Sequence, residues 1–176
     1  SLLIAVTGIC RAAQPHLVRD IKPGTDGAWP SKWHEDLFAA MGDLVFFSIC
    51  DDTGQREIWL TNGSEAGTKP LRDSGMEILG QCLPGQAAVL GTWLYVPACG
   101  REGSGQELWL TDGTPEGTAL PMDIWSGRGD SEPGDFVVLG NRVYFSADDG
   151  EAHRRELWTT DGTPEGTRLV IDLDSP

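Results

Sequence analysis

The amino-acid sequence predicts an all-β fold, a β-propeller-like array of four-stranded antiparallel blades. The segment 57–68 returns at 107–118 and again at 156–167, and self-similarity at a fixed period is typical of repeat architectures. The 176 residues include 23 glycines and 11 prolines, more than the ~12% that these two residues contribute on average, so the chain turns often. No window shows the sustained apolar period of a helix.

Each repeat unit is predicted to contain four short strands. The first ends at a two-residue Gly-X turn that suits a tight hairpin, and the second is rich in aromatic and branched residues. The third carries a tryptophan, and an Asn-Gly or Asp-Gly turn reverses the chain into the fourth. We expect first strands at 37–41, 87–90 and 136–139, and second strands at 44–49, 94–98 and 143–147. The third strands surround Trp59, Trp109 and Trp158, and the fourth end at Asp73, Asp123 and Asp172.

The repeat divides the chain into about 3.5 blades of one structural domain. Residues 23–73, 74–123 and 124–176 are predicted to form blades 1, 2 and 3, and residues 1–22 align with strands 3 and 4 of a preceding unit as a degenerate half-blade. The apolar run from Leu2 to Cys10 is therefore interpreted as a strand, the alternative being the remnant of a signal peptide. An all-β sandwich and an open β-solenoid are the alternative folds. Because propellers close with four to eight blades, we expect association with further blades, from other chains or from the rest of a longer protein.

The repeated motif identifies a family. Glu107-Leu108-Trp109 with Asp112-Gly113-Thr114 recurs as Glu156-Leu157-Trp158 with Asp161-Gly162-Thr163, and Glu57-Ile58-Trp59 with Asn62-Gly63-Ser64 differs only by conservative changes. These segments resemble the bacterial ELWxxDGT repeat, and the similarity covers nearly all of residues 16–174. The resemblance implies an exported protein with propeller-like blades, located outside the cell, on its surface or in the periplasm. The family carries no established reaction, so no catalytic residue is transferred.

The charge of the chain excludes two classes of partner. There are 13 Lys and Arg against 27 Asp and Glu, a formal net charge of −14. Nucleic acids and anionic membranes attract clustered Lys and Arg, so neither is expected as a partner. No stretch reaches the ~20 apolar residues of a membrane span, and none is predicted.

The four cysteines favour an oxidising compartment. None lies in a C-x-x-C pair, so a zinc site is not expected. If Gly91 and Thr92 form a hairpin turn, Cys82 and Cys99 lie near each other across it. We therefore predict a Cys82–Cys99 disulfide, which leaves Cys10 to pair with Cys50. The alternative is four buried thiols.

Acidic residues between the second and third strands make calcium the one cofactor that the sequence suggests, because hard cations prefer several oxygen ligands. The candidate ligands are Asp51, Asp52, Asp148, Asp149 and Glu151. The spacing of an EF-hand is absent. The recurring Asn62, Asp112 and Asp161 have a structural interpretation instead, since such side chains bond backbone amides two residues further on.

Candidate ligand-binding residues lie outside the repeated positions. The recurring tryptophans are expected in the core between blades. Trp29, Trp33 and Trp125 lie in turn-rich linkers, where binding residues concentrate, and Arg101 and His153 lie in loops of varying length. No Ser-His or Cys-His pairing is recognisable, so no catalytic residue is assigned.

The predicted function is that of an exported, non-enzymatic binding or adhesion module. Its blades would present the loops 51–56, 100–106 and 148–155 to a glycan or a protein, because these loops differ in length within a regular repeat. The alternatives are a structural subunit that completes a multi-chain ring or shell and a glycoside-active propeller enzyme that uses a pair of acids.

Overall fold

The computed structural model describes residue 18 and residues 37–50, 56–71, 86–100, 105–150 and 155–171. In these ranges the regular secondary structure is β strand, and no α-helix is present. The strands are β1 (Phe38–Met41), β2 (Leu44–Cys50), β3 (Arg56–Thr61), β4 (Lys69–Pro70), β5 (Ala88–Leu90), β6 (Trp93–Cys99), β7 (Gln106–Thr111), β8 (Gly134–Leu139), β9 (Arg142–Ala147), β10 (Glu156–Thr160) and β11 (Arg168–Ile171).

The strands form three antiparallel sheets in which each strand pairs with its neighbour in sequence. The first sheet has the order β1-β2-β3-β4, the second β5-β6-β7 and the third β8-β9-β10-β11. The all-β prediction is confirmed. The first and second strands of each unit begin and end within two residues of their predicted bounds.

A two-residue hairpin joins the first and second strands of each unit. The strand registers pair Met41 with Leu44, Leu90 with Trp93 and Leu139 with Arg142. The first turn residue is a glycine with φ of +57°, +63° and +63° in the three units. The second turn residue, Asp43, Thr92 or Asn141, has a negative φ: among the described non-glycine residues, only Glu132 and Asp135 have a positive φ. This combination defines a type II′ turn, which matches the twist of the strands it joins.

The fourth strand departs from the prediction in the second unit. There it is reduced to a single bridge between Leu110 and Ala119, with reciprocal N–O distances of 2.9 and 3.0 Å. The first unit is close to this arrangement, since β4 holds two residues, whereas β11 of the third unit holds four.

Strand pairing places the recurring tryptophans on one face of each sheet, which we call the Trp face. The cross-strand pairs are Phe47 with Trp59, Val96 with Trp109 and Phe145 with Trp158. Because successive residues of a strand point to opposite sides, their sequence neighbours form the other side, which we call the opposite face.

The sheets are stacked in chain order. The Trp face of the second sheet packs against the opposite face of the first, and the Trp face of the third sheet packs against the opposite face of the second. The core between the first and second sheets contains Phe46, Ile58, Leu60, Leu94, Val96 and Ala98, with Trp109 packed against it. The core between the second and third sheets contains Tyr95, Leu108, Leu110, Val143, Phe145 and Trp158. On the Trp face of the first sheet, Phe47, Ile49 and Trp59 pack with Val18. The predicted core role of the recurring tryptophans is confirmed.

Candidate functional site

The loops at the two ends of the strands differ in chemistry, and we call these two ends of the stack the recurrent edge and the variable edge. Because consecutive strands are antiparallel, the connections alternate between the edges. The recurrent edge carries the Gly-X hairpins and the loops 62–68, 112–118 and 161–167, whose sequence repeats. The variable edge carries the connections between second and third strands and the connections between units, whose sequence and length differ.

The three loops of the recurrent edge share one hydrogen-bond network. In the loop after β7, the Asp112 carboxylate accepts from the N–H and the hydroxyl of Thr114, at 2.8 and 2.7 Å. The Thr114 hydroxyl accepts in turn from the N–H of Gly117 at 3.0 Å. The same bonds recur around Asn62 and Asp161.

A pair of threonines closes each of these loops. The hydroxyls of Thr111 and Thr118 lie 2.7 Å apart, and the Thr118 hydroxyl donates to the Thr114 carbonyl at 2.7 Å. Since a hydroxyl has one proton, Thr111 donates to Thr118 and accepts from the N–H of Gly113 at 3.0 Å. The pairs Thr61–Thr68 and Thr160–Thr167 have the same 2.7 Å separation.

This network accounts for the recurring residues of the motif. Gly113 has a φ of +91°, a region that glycine adopts without strain. A Cβ added to Gly117 would lie 2.1 Å from Asp112 Oδ1. The hydrogen bonds from Thr163 hold the pKa of Asp161 below its ordinary value. The structural interpretation of the recurring Asp, Gly and Thr is confirmed.

At the variable edge, the buried carboxylate of Glu107 holds the connection between the second and third units. It accepts from the N–H groups of Ile124 and Trp125, at 3.0 and 3.2 Å, and from the Ser131 hydroxyl at 2.7 Å. Burial outweighs these bonds and raises the pKa of Glu107 to about 7. The motif predicts a glutamate here, but not its partners 17 to 24 residues further along the chain.

Ser131 joins the second and third sheets at this edge. Its N–H donates to the Gln106 carbonyl at 2.8 Å, and its carbonyl accepts from the N–H of Asp148 at 2.9 Å. The Asp130 carboxylate accepts from the N–H of Gln106 at 2.7 Å. The connection between the second and third units is therefore anchored to β7 on one side and to the end of β9 on the other.

Trp125, a predicted ligand-binding residue, lies half-buried in this connection. A Cβ added to Gly129 would lie 2.1 Å from Trp125 Cδ1, and one added to Gly150 would lie 2.2 Å from Trp125 Nε1. The indole thus packs directly on two glycine backbones. Its remaining surface is open to solvent at the variable edge.

A charged cluster around Arg155 is a feature that sequence reasoning missed. The guanidinium donates to the Ser146 hydroxyl at 2.6 Å and to the Glu132 carbonyl at 2.7 Å. Its nitrogens lie 3.5 and 3.9 Å from the carboxylates of Glu132 and Asp135. These two acids have φ of +45° and +55°, a strained region that is enriched at functional sites. The Pro133-Gly134 pair between them is the one signal in the sequence for an unusual turn.

The remaining predicted site residues are described in part. Asp148 accepts from the N–H of Gly150 at 2.8 Å, and Asp149 lies between them in sequence. Within the described ranges, no three His, Cys, Asp or Glu side chains are grouped closely enough to hold a metal ion. The calcium site stays a prediction. Outside the described residues lie Trp29, Trp33, Asp51, Asp52, Arg101, Glu151 and His153, as well as residues 1–17 and 19–22 of the half-blade.

Cys99 ends β6, is buried and is disulfide-bonded. Cys10 and Cys82 lie outside the described residues, and the side chain of Cys50 is not described. The Cys82–Cys99 pairing therefore stays a prediction.

Comparison with models of known protein families and with curated protein sequences finds no match to this chain. Among the described residues, no helix is long and apolar enough to cross a bilayer.

Proposed function

We propose that this protein is a non-enzymatic binding or adhesion module, exported from a bacterial cell, whose propeller-like blades present the variable edge to a glycan or a protein. The observation that carries the proposal is the separation of the two edges. Recurring polar residues bond within the loops of the recurrent edge. The connections between second and third strands at the variable edge hold five, six and eight residues in the three units. Variation confined to one edge of a rigid scaffold is typical of binding surfaces.

The packing of the sheets supports the propeller-like arrangement. Neighbouring sheets come closest along their first strands, β1, β5 and β8. Sheets that converge along one strand fan about a common axis, and a propeller is such a fan closed on itself. Each predicted blade, 23–73, 74–123 and 124–176, contains one of the three sheets.

The described part of the variable edge has the chemistry of a polar ligand site. The Trp125 indole is half-exposed at this edge and adds apolar aromatic surface to it. Arg128 and Asp130 are exposed in the same connection, and the Arg155 cluster lies at the start of the third sheet. A sugar ring can stack on an indole while its hydroxyls hydrogen-bond to charged groups. A loop of another protein can use the same indole and charged groups.

The proposal is tested by replacing the loop Glu151-Ala152-His153-Arg154 with Ser-Gly-Ser-Gly, which keeps the anchors Gly150 and Arg155. The assay is binding to a glycan array and to surface-immobilised proteins. We expect the replacement to lose or change the set of bound probes.

The matched control changes the recurrent edge instead, through Glu116→Ala and Glu165→Ala at equivalent exposed positions and Glu65→Ala one repeat position earlier in the first loop, also exposed. This variant should keep the full binding set. The proposal is wrong if the loop replacement leaves every interaction unchanged, or if the control loses as much binding as the loop replacement does.

A further inference from the structure

The opposite face of the third sheet is apolar and exposed. Val137, Leu139 and Leu157 are 60%, 67% and 39% exposed. Val137 pairs with Tyr144 across β8 and β9, and Leu157 lies on the same side of the sheet, opposite Ser146. We call this surface the seat face, defined by Val137, Leu139, Tyr144 and Leu157.

The equivalent positions of the first two sheets are covered. Leu157 follows the glutamate of the repeat, as Ile58 and Leu108 do, and those two side chains are 2% and 0% exposed. Tyr144 has the same place in its unit as Tyr95, which is 1% exposed. In both sheets, the cover is the Trp face of the next sheet.

A pocket of about 230 Å³ lies beside Tyr144 of the seat face and is lined by Arg142, Tyr144, Thr159, Arg168, Leu169 and Val170. In the first sheet, the positions equivalent to Arg142, Tyr144 and Thr159 are Leu44, Phe46 and Leu60. These three side chains surround a glycine of the next unit's loop, since a Cβ added to Gly113 would lie 3.1 to 3.6 Å from them.

The second sheet repeats this contact. A Cβ added to Gly162 would lie 3.0 Å from Tyr95 Oη and 3.2 Å from Leu110 Cδ2. Tyr95 and Leu110 are the equivalents of Tyr144 and Thr159. The pocket of the third sheet therefore lies where the first two sheets receive the loop glycine of the following unit.

The charges around the pocket complement such a loop. Asp161 and Glu165 flank Gly162 in the third unit, as Asp112 and Glu116 flank Gly113 in the second. Burial, together with the negative charge of Asp161, raises the pKa of Tyr95 in the second sheet. The acidic loop of the third unit therefore acts electrostatically on the sheet against which it packs. Two arginines line the pocket, where the first sheet has Leu44 and Lys69. Arg142 is paired with Asp161 of its own loop at 3.2 Å, so Arg168 is the cation that an acidic loop of a further unit would meet.

We propose that the seat face binds the Trp face of a further unit of the same repeat, whose loop glycine enters the pocket between Tyr144 and Thr159. The occupant is thus a sheet with a Glu-Leu-Trp strand and an acidic Asp-Gly-Thr loop. The contact continues the two interfaces already present between the first, second and third sheets. It does not depend on the ligand proposed for the variable edge.

The test supplies that unit. A second copy of residues 124–172 is inserted directly after Asp172. The copied tryptophan then follows Trp158 by 49 residues, the spacing that separates Trp109 from Trp158. The inserted copy carries Tyr144→Phe, so the extended chain still has two tyrosines, Tyr95 and Tyr144. Hydroxyl-radical footprinting with mass spectrometry then measures the oxidation rate of each.

We expect the oxidation rate of Tyr144 to fall several-fold in the extended chain, toward that of Tyr95, which serves as the covered equivalent in the same molecule. Leu139→Glu in the original third unit places a charge in the seat face and should restore the rate found without the insertion. Met122→Glu, at an exposed apolar residue outside the seat face, should leave the protection intact.

Three results would overturn the proposal. The first is an unchanged Tyr144 rate in the extended chain, whether the inserted unit folds elsewhere or stays unfolded. The second is protection that Leu139→Glu does not relieve. The third is protection that grows with protein concentration and is absent from dilute extended chain, because two seat faces would then be covering each other in a dimer.

Discussion

A methyl group placed on Gly117 tests the loop network of the recurrent edge. In Gly117→Ala, the new Cβ would lie 2.1 Å from Asp112 Oδ1 and 2.2 Å from Asp112 Cγ, so the carboxylate has to leave its position. Its two bonds to Thr114, at 2.8 and 2.7 Å, are then lost. Gly117 does not have a positive φ, so the alanine backbone itself is unstrained.

The expected loss follows from those two bonds. Each contributes about 1 kcal/mol, so Asp112→Ala should lower the free energy of unfolding by about 2 kcal/mol. Alanine in place of glycine restricts the unfolded chain and returns about 0.4–1 kcal/mol, so Gly117→Ala should cost about 1–1.5 kcal/mol. Because both changes remove the same bonds, the double variant should lose no more than Asp112→Ala alone, a coupling of about 2 kcal/mol.

The assay is urea unfolding of the wild type, both single variants and the double variant, followed by circular dichroism. Gly67→Ala with Asn62→Ala is a matched cycle, because that Cβ would lie 1.9 Å from Asn62 Oδ1. Its coupling should be smaller, since hydrogen bonds to a neutral acceptor are weaker than those to a carboxylate. Additive losses at Gly117 and Asp112 would refute the reasoning, because the methyl group would then be displacing something other than the carboxylate.

The other predictions concern the variable edge and the threonine pairs. The pKa of Glu107 is raised in the folded protein, so its stabilising contribution is full below the ordinary carboxyl pKa and is lost as the pH rises through 4.5 toward 7. Allowing for partial solvent screening, urea unfolding of the wild type should lose about 2 kcal/mol more over this interval than that of Glu107→Gln, and equal losses would contradict the assignment. Gly150→Ala should cost about 1–3 kcal/mol and shift tryptophan emission to the red, because Gly150 has a φ of +78° and its Cβ would meet the indole of Trp125. An unshifted spectrum would show that the indole stays in place. Thr160→Val should cost about 2 kcal/mol and speed hydrogen exchange at the Gly162 amide, because it removes a buried hydroxyl with two partners; Thr160→Ser, which keeps the hydroxyl, should leave the exchange slow.

The strands and hairpins were predictable because their determinants are local. A glycine as the first residue of a two-residue turn and the branched or aromatic residues after it lie within ten residues of one another, and the registers at Met41, Leu90 and Leu139 follow from them. The length of the fourth strand was less predictable, since it is a single bridge at Ala119 in the second unit and the four residues of β11 in the third.

The candidate site was less predictable because its contacts join distant residues. The Ser131 hydroxyl meets the Glu107 carboxylate across 24 residues, and Arg155 reaches the Glu132 carbonyl across 23. The sequence placed Trp125 in a turn-rich linker correctly. That its indole packs on Gly129 and Gly150 depends on how the linker folds back over the third sheet.

By itself, the sequence determined the repeat unit, the turn chemistry and the loops that close each unit, since every one of these depends on residues close together in the chain. Only the tertiary structure decided which faces are covered. Leu108 and Leu157 occupy the same position of the same motif, yet the first is buried and the second is exposed. The difference lies in the neighbour, because a sheet face is removed from water only when another sheet packs against it.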